Sequence, residues 1–401
     1  MSKAEKNLLD FCLKYKYPLA FIIVTAGAFL LRCKLIPFIS RDMELFLLPW
    51  FEELKNNGGL LALADYPGDY NAPYMTLMAL LSYIPVDPVI SIKCISIFFD
   101  FMLALSALKL GQTISAKVKG NTFFTLILYT AVLFFPTVYL NSAMWGQCDS
   151  IYTTFVLLSL TFLVKEKYPV SFILLGAAFS FKLQFIFILP LYIIIYFVKK
   201  NFSIFNFLWL PLVDLILCLP AIIAGKPVMD CLLVYFNQTQ TYSTGMTYNF
   251  INLYQFVPEG ASAVPMLYTA ASLTAVIVCG LTLIFFLHYK IQPNRKQLIL
   301  TGLWLLIILT FVLPGMHERY LYMGEILGIL YFICFRKNAA IVINILFNAL
   351  ITYAAYLFQN YTFDLKFLSI IYGINTLFFT YKVLQELLHP SGVSENLKGV
   401  L

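Results

Sequence analysis

Charge is scarce in this chain. Asp, Glu, Lys and Arg make up 12% of its 401 residues, against about 25% in an ordinary soluble domain. That shortage leaves no room for a large soluble domain. Paired cysteines are also missing. The eight present, Cys12, Cys33, Cys94, Cys148, Cys218, Cys231, Cys279 and Cys334, are scattered and contain no CxxC pair. Neither a disulfide framework nor a zinc site follows, and they read as small apolar residues within helices. Internal repeats and low-complexity segments are absent too. A small-residue cleavage site is lacking after the basic Ser2–Lys16 segment and the apolar Pro18–Leu31 run, so the reading is an uncleaved first span rather than a signal peptide.

Hydrocarbon is what the chain has. Sixty-one per cent of it is hydrophobic, in runs near the roughly 20 residues that cross a bilayer. The expectation is an all-α polytopic membrane protein, one integral domain over residues 1–401. The expected spans are 18–36, 87–112, 121–139, 149–165, 168–181, 185–198, 203–224, 263–287, 298–313, 320–335, 339–357 and 366–385, about twelve in all. The apolar stretch 168–198 is interrupted by Lys182 and Gln184 and flanked at both ends by lysines. It therefore reads as two crossings with Lys182 at the far surface.

Lys and Arg orient such a chain, being enriched on the cytoplasmic side. Lys3, Lys6, Lys14 and Lys16 place residues 1–17 in the cytoplasm. Lys117 with Lys119, Lys165 with Lys167, Lys199 with Lys200, Lys290 with Arg295 and Lys296, and Arg336 with Lys337 follow on the same side, as does a tail at 386–401. Arg32, Lys34, Arg41 and Lys55 fall outside, and these outer cations hint at an anionic ligand there. The net charge of +7 points to no nucleic-acid partner. The expected location is the plasma membrane of a bacterium.

Two outer loops are long, 37–86 and 225–262. In the first, Leu47, Trp50, Phe51 and Leu54 recur at helical spacing, with Glu52, Glu53 and Lys55 between them. That pattern suits an interfacial amphipathic helix, ended by Gly58-Gly59. Tyr74–Ile84 is too short to span and reads as a second interfacial piece. The other loop is rich in Tyr, Asn, Gln and Thr between Tyr235 and Tyr254, a surface suited to hydroxylated ligands.

Polar clusters distant in sequence share this outer face. They are Arg41-Asp42-Met43-Glu44, Asp65, Asp69-Tyr70-Asn71, Trp145-Gly146-Gln147-Cys148-Asp149, Lys182 with Gln184, and His317-Glu318-Arg319-Tyr320. Polar side chains at a membrane boundary are costly unless they serve a purpose. Group transfer from a lipid-linked phosphate fits them. Asp42 is positioned to be a general base for an acceptor hydroxyl. Arg319, Lys182 and His317 suit a phosphate leaving group. A carboxylate facing the sugar would help an oxocarbenium-like state. The plainer alternatives are a solvated loop carboxylate for Asp42, an ion-pair network at a helix end for His317-Glu318-Arg319, a snorkelling lysine for Lys182, and interfacial anchoring for Trp145, Gln147 and Asp149. Zinc is not expected at His317-Glu318, since one His and one Glu do not complete a tetrahedral set. Within the spans, Lys93, Asp100, Asp214 and Glu325 call for partners on other helices.

Several of these segments resemble a known family. WGQCDS at 145–150, FKLQ at 181–184, PGMHERY at 314–320 and RDMELFLLPWFEELKNNGG in the first loop resemble the bacterial membrane mannosyltransferases related to the enzyme that adds the second mannose of the GPI anchor. These belong to the GT-C superfamily, and the resemblance covers roughly residues 18–335. It implies a GT-C-type fold and an inverting glycosyltransferase. The donor would be a polyprenyl-phosphate hexose, mannose by resemblance. The acceptor would be a hydroxyl on a glycan, lipid or polymer, and the active face non-cytoplasmic. The family's loop Asp maps to Asp42. Glu44 departs from the Asp-x-Asp form of some members, and Cys148 stands where an aromatic or aliphatic residue is more usual. Lys182, Gln184, His317, Glu318, Arg319 and Tyr320 map to the donor side. Asp69, Trp145, Gln147 and Asp149 map to the substrate pocket. No cofactor is required by these residues, although Asp42 and Glu44 are of a type to hold a divalent Mg or Mn ion. The rival class is a secondary transporter or lipid-linked oligosaccharide flippase. Such proteins tend to show internal repeats and charged or broken helices near the midplane.

Overall fold

Most helices here begin where a polar side chain or a proline meets an apolar run. The computed structural model describes residues 1–66, 68–241, 245–258, 264–335, 337–358 and 364–389. Arg336 and the tail from residue 390 onward, both used above for orientation, lie outside these residues, as do positions 242–244 of the second outer loop. Helix α1 (Lys3–Lys14) starts at a capping box of Ser2 and Glu5 and leads into α2 (Lys16–Leu35). A π-helical turn, Met43–Leu47, runs into α3 (Leu48–Asn56). A 3-10 turn, Gly59–Asp65, and α4 (Ala72–Leu81), capped by Asn71, complete the first loop. Asp87 caps α5 (Pro88–Ile114) by accepting from the Val89 and Ile90 amides, with proline in the first-turn position it favours.

Helices α6 (Ala116–Gly120) and α7 (Thr122–Leu133) come next. Pro136 then starts α8 (Pro136–Tyr139), and the run through Trp145 bends by 47° from α7, as a missing proline N–H allows. Helix α9 (Asp149–Val164) pairs with α10 (Tyr168–Phe181), and both pack widely, α9 on α5 and α10 on α12 (Trp209–Ala224). Between them, α11 (Leu189–Lys199) follows a 3-10 turn. The rest are α13 (Val228–Thr241), α14 (Val264–His288), α15 (Arg295–Val312), α16 (Tyr322–Phe335), α17 (Ala339–Phe358) and α18 (Leu365–Leu388). Two short strands, β1 (Thr247–Tyr248) and β2 (Met316–His317), pair in parallel. Nothing in the sequence pattern announced them.

Each of the twelve expected stretches is helical, and the protein is an all-α chain with membrane-length helices. Seven helices are long and apolar enough to cross a membrane, or eight with the bent pair counted as one span. Helices α9, α10, α16 and the Leu183–Lys199 segment are shorter, so they fall below the length assumed for twelve full crossings. The largest buried apolar cluster draws on residues from Ala28 to Leu387.

Two expectations about the first loop change. Its amphipathic helix packs inward: Met43, Leu47, Trp50, Phe51 and Leu54 are all buried in the main core. It is therefore a wall of the fold rather than a helix lying on it. Arg32 is not an outer loop cation but a fully buried residue of α2. Its Nε donates to Asp100 Oδ2 at 2.7 Å, and its other nitrogens donate to the Ala28 and Leu133 carbonyls. Asp100 also accepts from Ser142 at 2.5 Å. The partners that the intramembrane charges called for are thus present. Lys93 donates to the carbonyls of Ile36, Phe38 and Met144. Asp214 accepts from Asn71, and Glu325 from Asn348.

Candidate active site

The polar clusters converge on one cleft of about 360 Å3. The first loop contributes Arg41, Asp42, Phe46 and Trp50. Asp69 and Tyr70 stand at the end of that loop. Trp145, Gln147, Lys182 and Gln184 come from the middle of the chain, and His317 to Tyr320 from the loop between α15 and α16. Tyr235, Gln238, Tyr248 and Asn249 of the second outer loop complete it, as the polar make-up of that loop led one to expect.

Local backbone geometry sets up each part. Gly146 has φ +82°, and a Cβ there would strike the Met43 side chain. Only glycine lets the Trp145–Gln147 turn lie against the first loop. Gly315 has φ +69°, and its amide donates to the Met246 carbonyl at 2.9 Å. With the β1–β2 pairing, that bond fastens the second outer loop to the His317 segment. The Tyr248 and His317 rings stack at 4.7 Å with 13° between their planes. Lys182 breaks α10 with an extended backbone, φ −160° and ψ 136°, which turns its side chain inward.

Arg319 is the hub. Its Nη1 lies 3.0 Å from Glu318 Oε1 and 3.7 Å from Asp42 Oδ2, and its Nε lies 3.9 Å from Asp149 Oδ2. The guanidinium sits 5.7 Å from the centroid of the Trp145 ring. Burial opposes its charge, but Glu318, Asp42, Tyr70 and Asp149 together hold it well above its ordinary range, so it is a permanent cation. Gln147 bridges two partners, donating to Asp42 Oδ2 at 3.0 Å and accepting from the Tyr70 hydroxyl at 2.8 Å. Two buried N–H groups of this wall, Arg319 Nε and Trp145 Nε1, have no hydrogen-bond partner. Unpaired buried donors are expensive, so they mark where an acceptor belongs.

Lys182 Nζ donates to Asp149 Oδ1 at 2.7 Å, with only 8% and 1% of the two side chains exposed. Asp149 Oδ2 in turn accepts from Asn141 at 2.8 Å. This changes the reading of Asp149: it lies beneath the cleft lining, fixing Lys182, and does not itself face substrate. Burial, helped by the neighbouring Arg319 and Lys182 charges, holds His317 well below its ordinary 6.5, so its imidazole is neutral at pH 7. Burial raises Glu318 above its ordinary 4.5, against the pull of Arg319. It likewise raises the hydroxyls of Tyr70 and Tyr320.

No family model matches this chain, and no curated protein matches it.

Glu44 is not brought to the cleft. Two residues beyond Asp42 on a helical turn is roughly the opposite side. Glu44 is exposed while Asp42 lines the cleft, so the two do not form a site for a divalent ion. Among the described residues, no group of three or more His, Cys, Asp and Glu side chains gathers where a metal could be held. Asp65 is exposed outside the cleft. Tyr356 of α17 was missed. It lines the cleft, meets Trp145 edge-on at 3.8 Å and accepts from Asn141 at 3.0 Å. An aromatic residue inside an apolar span carries no signal that sets it apart.

Proposed function

We propose that the protein is an inverting glycosyltransferase of GT-C type. It moves a hexose from a polyprenyl-phosphate donor to a hydroxyl acceptor on the non-cytoplasmic face of the membrane. The observation that carries this reading is the meeting of Asp42 with Arg319, beside the unpartnered N–H groups of Arg319 and Trp145. A carboxylate open to the cleft, next to a cation with spare donors, is what an acceptor hydroxyl and a phosphate leaving group need together. Asp42 takes the hydroxyl proton. The acceptor oxygen bonds to the anomeric carbon, and the carbon–oxygen bond to phosphate breaks, the electron pair leaving with the phosphate. Arg319, with Lys182 held by Asp149, balances that charge, and neutral His317 donates a hydrogen bond to it. Gln184 and Tyr320 line the donor side. Tyr70, Trp145, Tyr248 and Tyr356 offer aromatic faces to sugar rings. The twelve-crossing topology with cytoplasmic termini belongs to the same proposal.

Purified protein is incubated with a panel of polyprenyl-phosphate sugars and acceptors, and the products are read by mass spectrometry. Transfer from one donor is the expected result. If no polyprenyl-phosphate sugar is consumed, the donor class is wrong.

A transporter or flippase is the second reading. It draws on the 47° break at Pro136 and on the Arg32–Asp100 pair buried among the helices, features typical of transporters. Movement of a labelled lipid across proteoliposomes without sugar transfer would favour it.

A further inference from the structure

Helix α17 is apolar except along one line. Asn344, Asn348, Thr352 and Tyr356 recur every fourth residue, which places them on one face of a helix. All four are buried, at 0%, 0%, 0% and 2% exposed. The outer end of the line reaches the cleft, where Thr352 donates to the Glu318 carbonyl at 3.1 Å and Tyr356 lines the cleft wall. The inner end reaches Glu325 of α16, also 0% exposed, whose Oε1 accepts from Asn348 Nδ2 at 2.6 Å.

The atoms between these ends are unsatisfied. Glu325 Oε2, Asn348 Oδ1, Thr137 Oγ1 and both polar atoms of Asn344 are buried without a hydrogen-bond partner. Native interiors rarely tolerate this, and ordered water is the usual remedy. The set contains acceptors and a donor, the Asn344 Nδ2. A cation would satisfy the oxygens and repel that amide, whereas water serves both kinds. No ion pair forms at Glu325 among the described residues. The titratable groups facing it from packed helices are Asp149 of α9 and Tyr372 of α18. Helix α5 carries Asp100, already bound to Arg32, and Lys93, bound to carbonyls. A carboxyl so placed is far cheaper to keep as the neutral acid.

We propose that the Asn344–Tyr356 stripe is a hydrated path by which Glu325, buried among the helices, exchanges a proton with the cleft. The ligand is water. Only O–H bonds break and form along the path, and each proton passed to one water is matched by one released to the next. The proposal stands apart from glycosyl transfer and is tested without it.

Infrared difference spectra of the full chain in lipid, wild type against Glu325→Gln, are recorded in H2O and after transfer to D2O. A protonated-carboxyl band is expected that is lost in the variant and that shifts within the first minutes in D2O. Asn344→Leu, which leaves the Glu325–Asn348 contact in place, should keep the band and slow its shift by about tenfold or more, as for a site reached only by local opening. Should Glu325→Gln fail to fold, 13C-glutamate labelling of the wild type, compared with labelled Glu318→Gln, assigns the band instead. A band that never shifts would mean a dry pocket. An ionised Glu325 whose spectrum responds to sodium or potassium would mean a cation site. Either result overturns the proposal.

Discussion

Arg319 Nη1 lies 3.7 Å from Asp42 Oδ2. The hydroxyl-facing carboxylate and the phosphate-facing cation are therefore each other's neighbours before any substrate arrives. A donor phosphate that engages Arg319 competes with Asp42 for the same guanidinium, and its binding leaves Asp42 free to accept a proton.

Asp42→Asn should lower sugar transfer by about 100-fold or more, the usual scale for removing a general base. Donor binding should persist or tighten, because Arg319 loses a competing carboxylate. Transfer rates and donor titration, measured on the same preparation, separate the two effects. Normal turnover in the variant would remove Asp42 from the role of base.

Arg319→Lys keeps a positive charge but loses the fork that reaches Glu318, Asp42 and Asp149 at once. Transfer should fall by roughly 100-fold to 1,000-fold, as when a transition-state donor is lost. Glu44→Gln should leave turnover within about twofold, in the range of surface changes that touch nothing. Equal sensitivity at the two positions would contradict the geometry of the cleft.

Lys182→Met strands Asp149 in a buried site, and Asp149→Asn strands Lys182. Each single change should destabilise the protein by about 3–5 kcal/mol, the cost of leaving one member of a buried pair alone. The double variant should recover a good part of that loss. Thermal unfolding in detergent of all four forms closes the cycle, and strict additivity would show that the pair is not coupled.

His317 is neutral when folded because its pKa is depressed. The unfolded chain therefore gains a proton there first as pH falls below the ordinary 6.5, and stability drops from that point down to the folded-state value. Glu318 works in the opposite sense: its raised pKa adds stability as pH falls from that raised value toward 4.5. Denaturation of wild type and His317→Gln between about pH 7 and pH 5 isolates the histidine, since this window starts just above its unfolded pKa. The wild type should lose more stability across it than the variant.

Much of the fold could be read from residue patterns, because hydrocarbon runs of bilayer length have few other uses. The break at Lys182 was legible for the same reason: a charge in an apolar run has to go somewhere. Convergence of the cleft residues followed from placing their loops on one face. Pairings between distant helices were not legible. Arg32 looked like a loop cation because Asp100 stands 68 positions away, and no local pattern connects them. Glu44 looked equivalent to Asp42 by proximity, but the helical turn rotates it outward. Asp149 was read as a pocket residue because nothing in the chain shows that Lys182 takes it as a counter-ion.

Lys93 makes three hydrogen bonds, to the carbonyls of Ile36, Phe38 and Met144. Three donated bonds need three hydrogens, which only the ammonium form has. Carbonyl oxygens gathered around a positive charge are how some channels replace the water shell of a potassium ion. Here the ion is tethered to α5 by its own side chain. It clamps the start of the first outer loop to the backbone just before Trp145, and unlike a bound metal it can be neither chelated nor exchanged. The wall of the cleft should therefore keep its shape through changes of ionic composition that would strip a metal-stapled site.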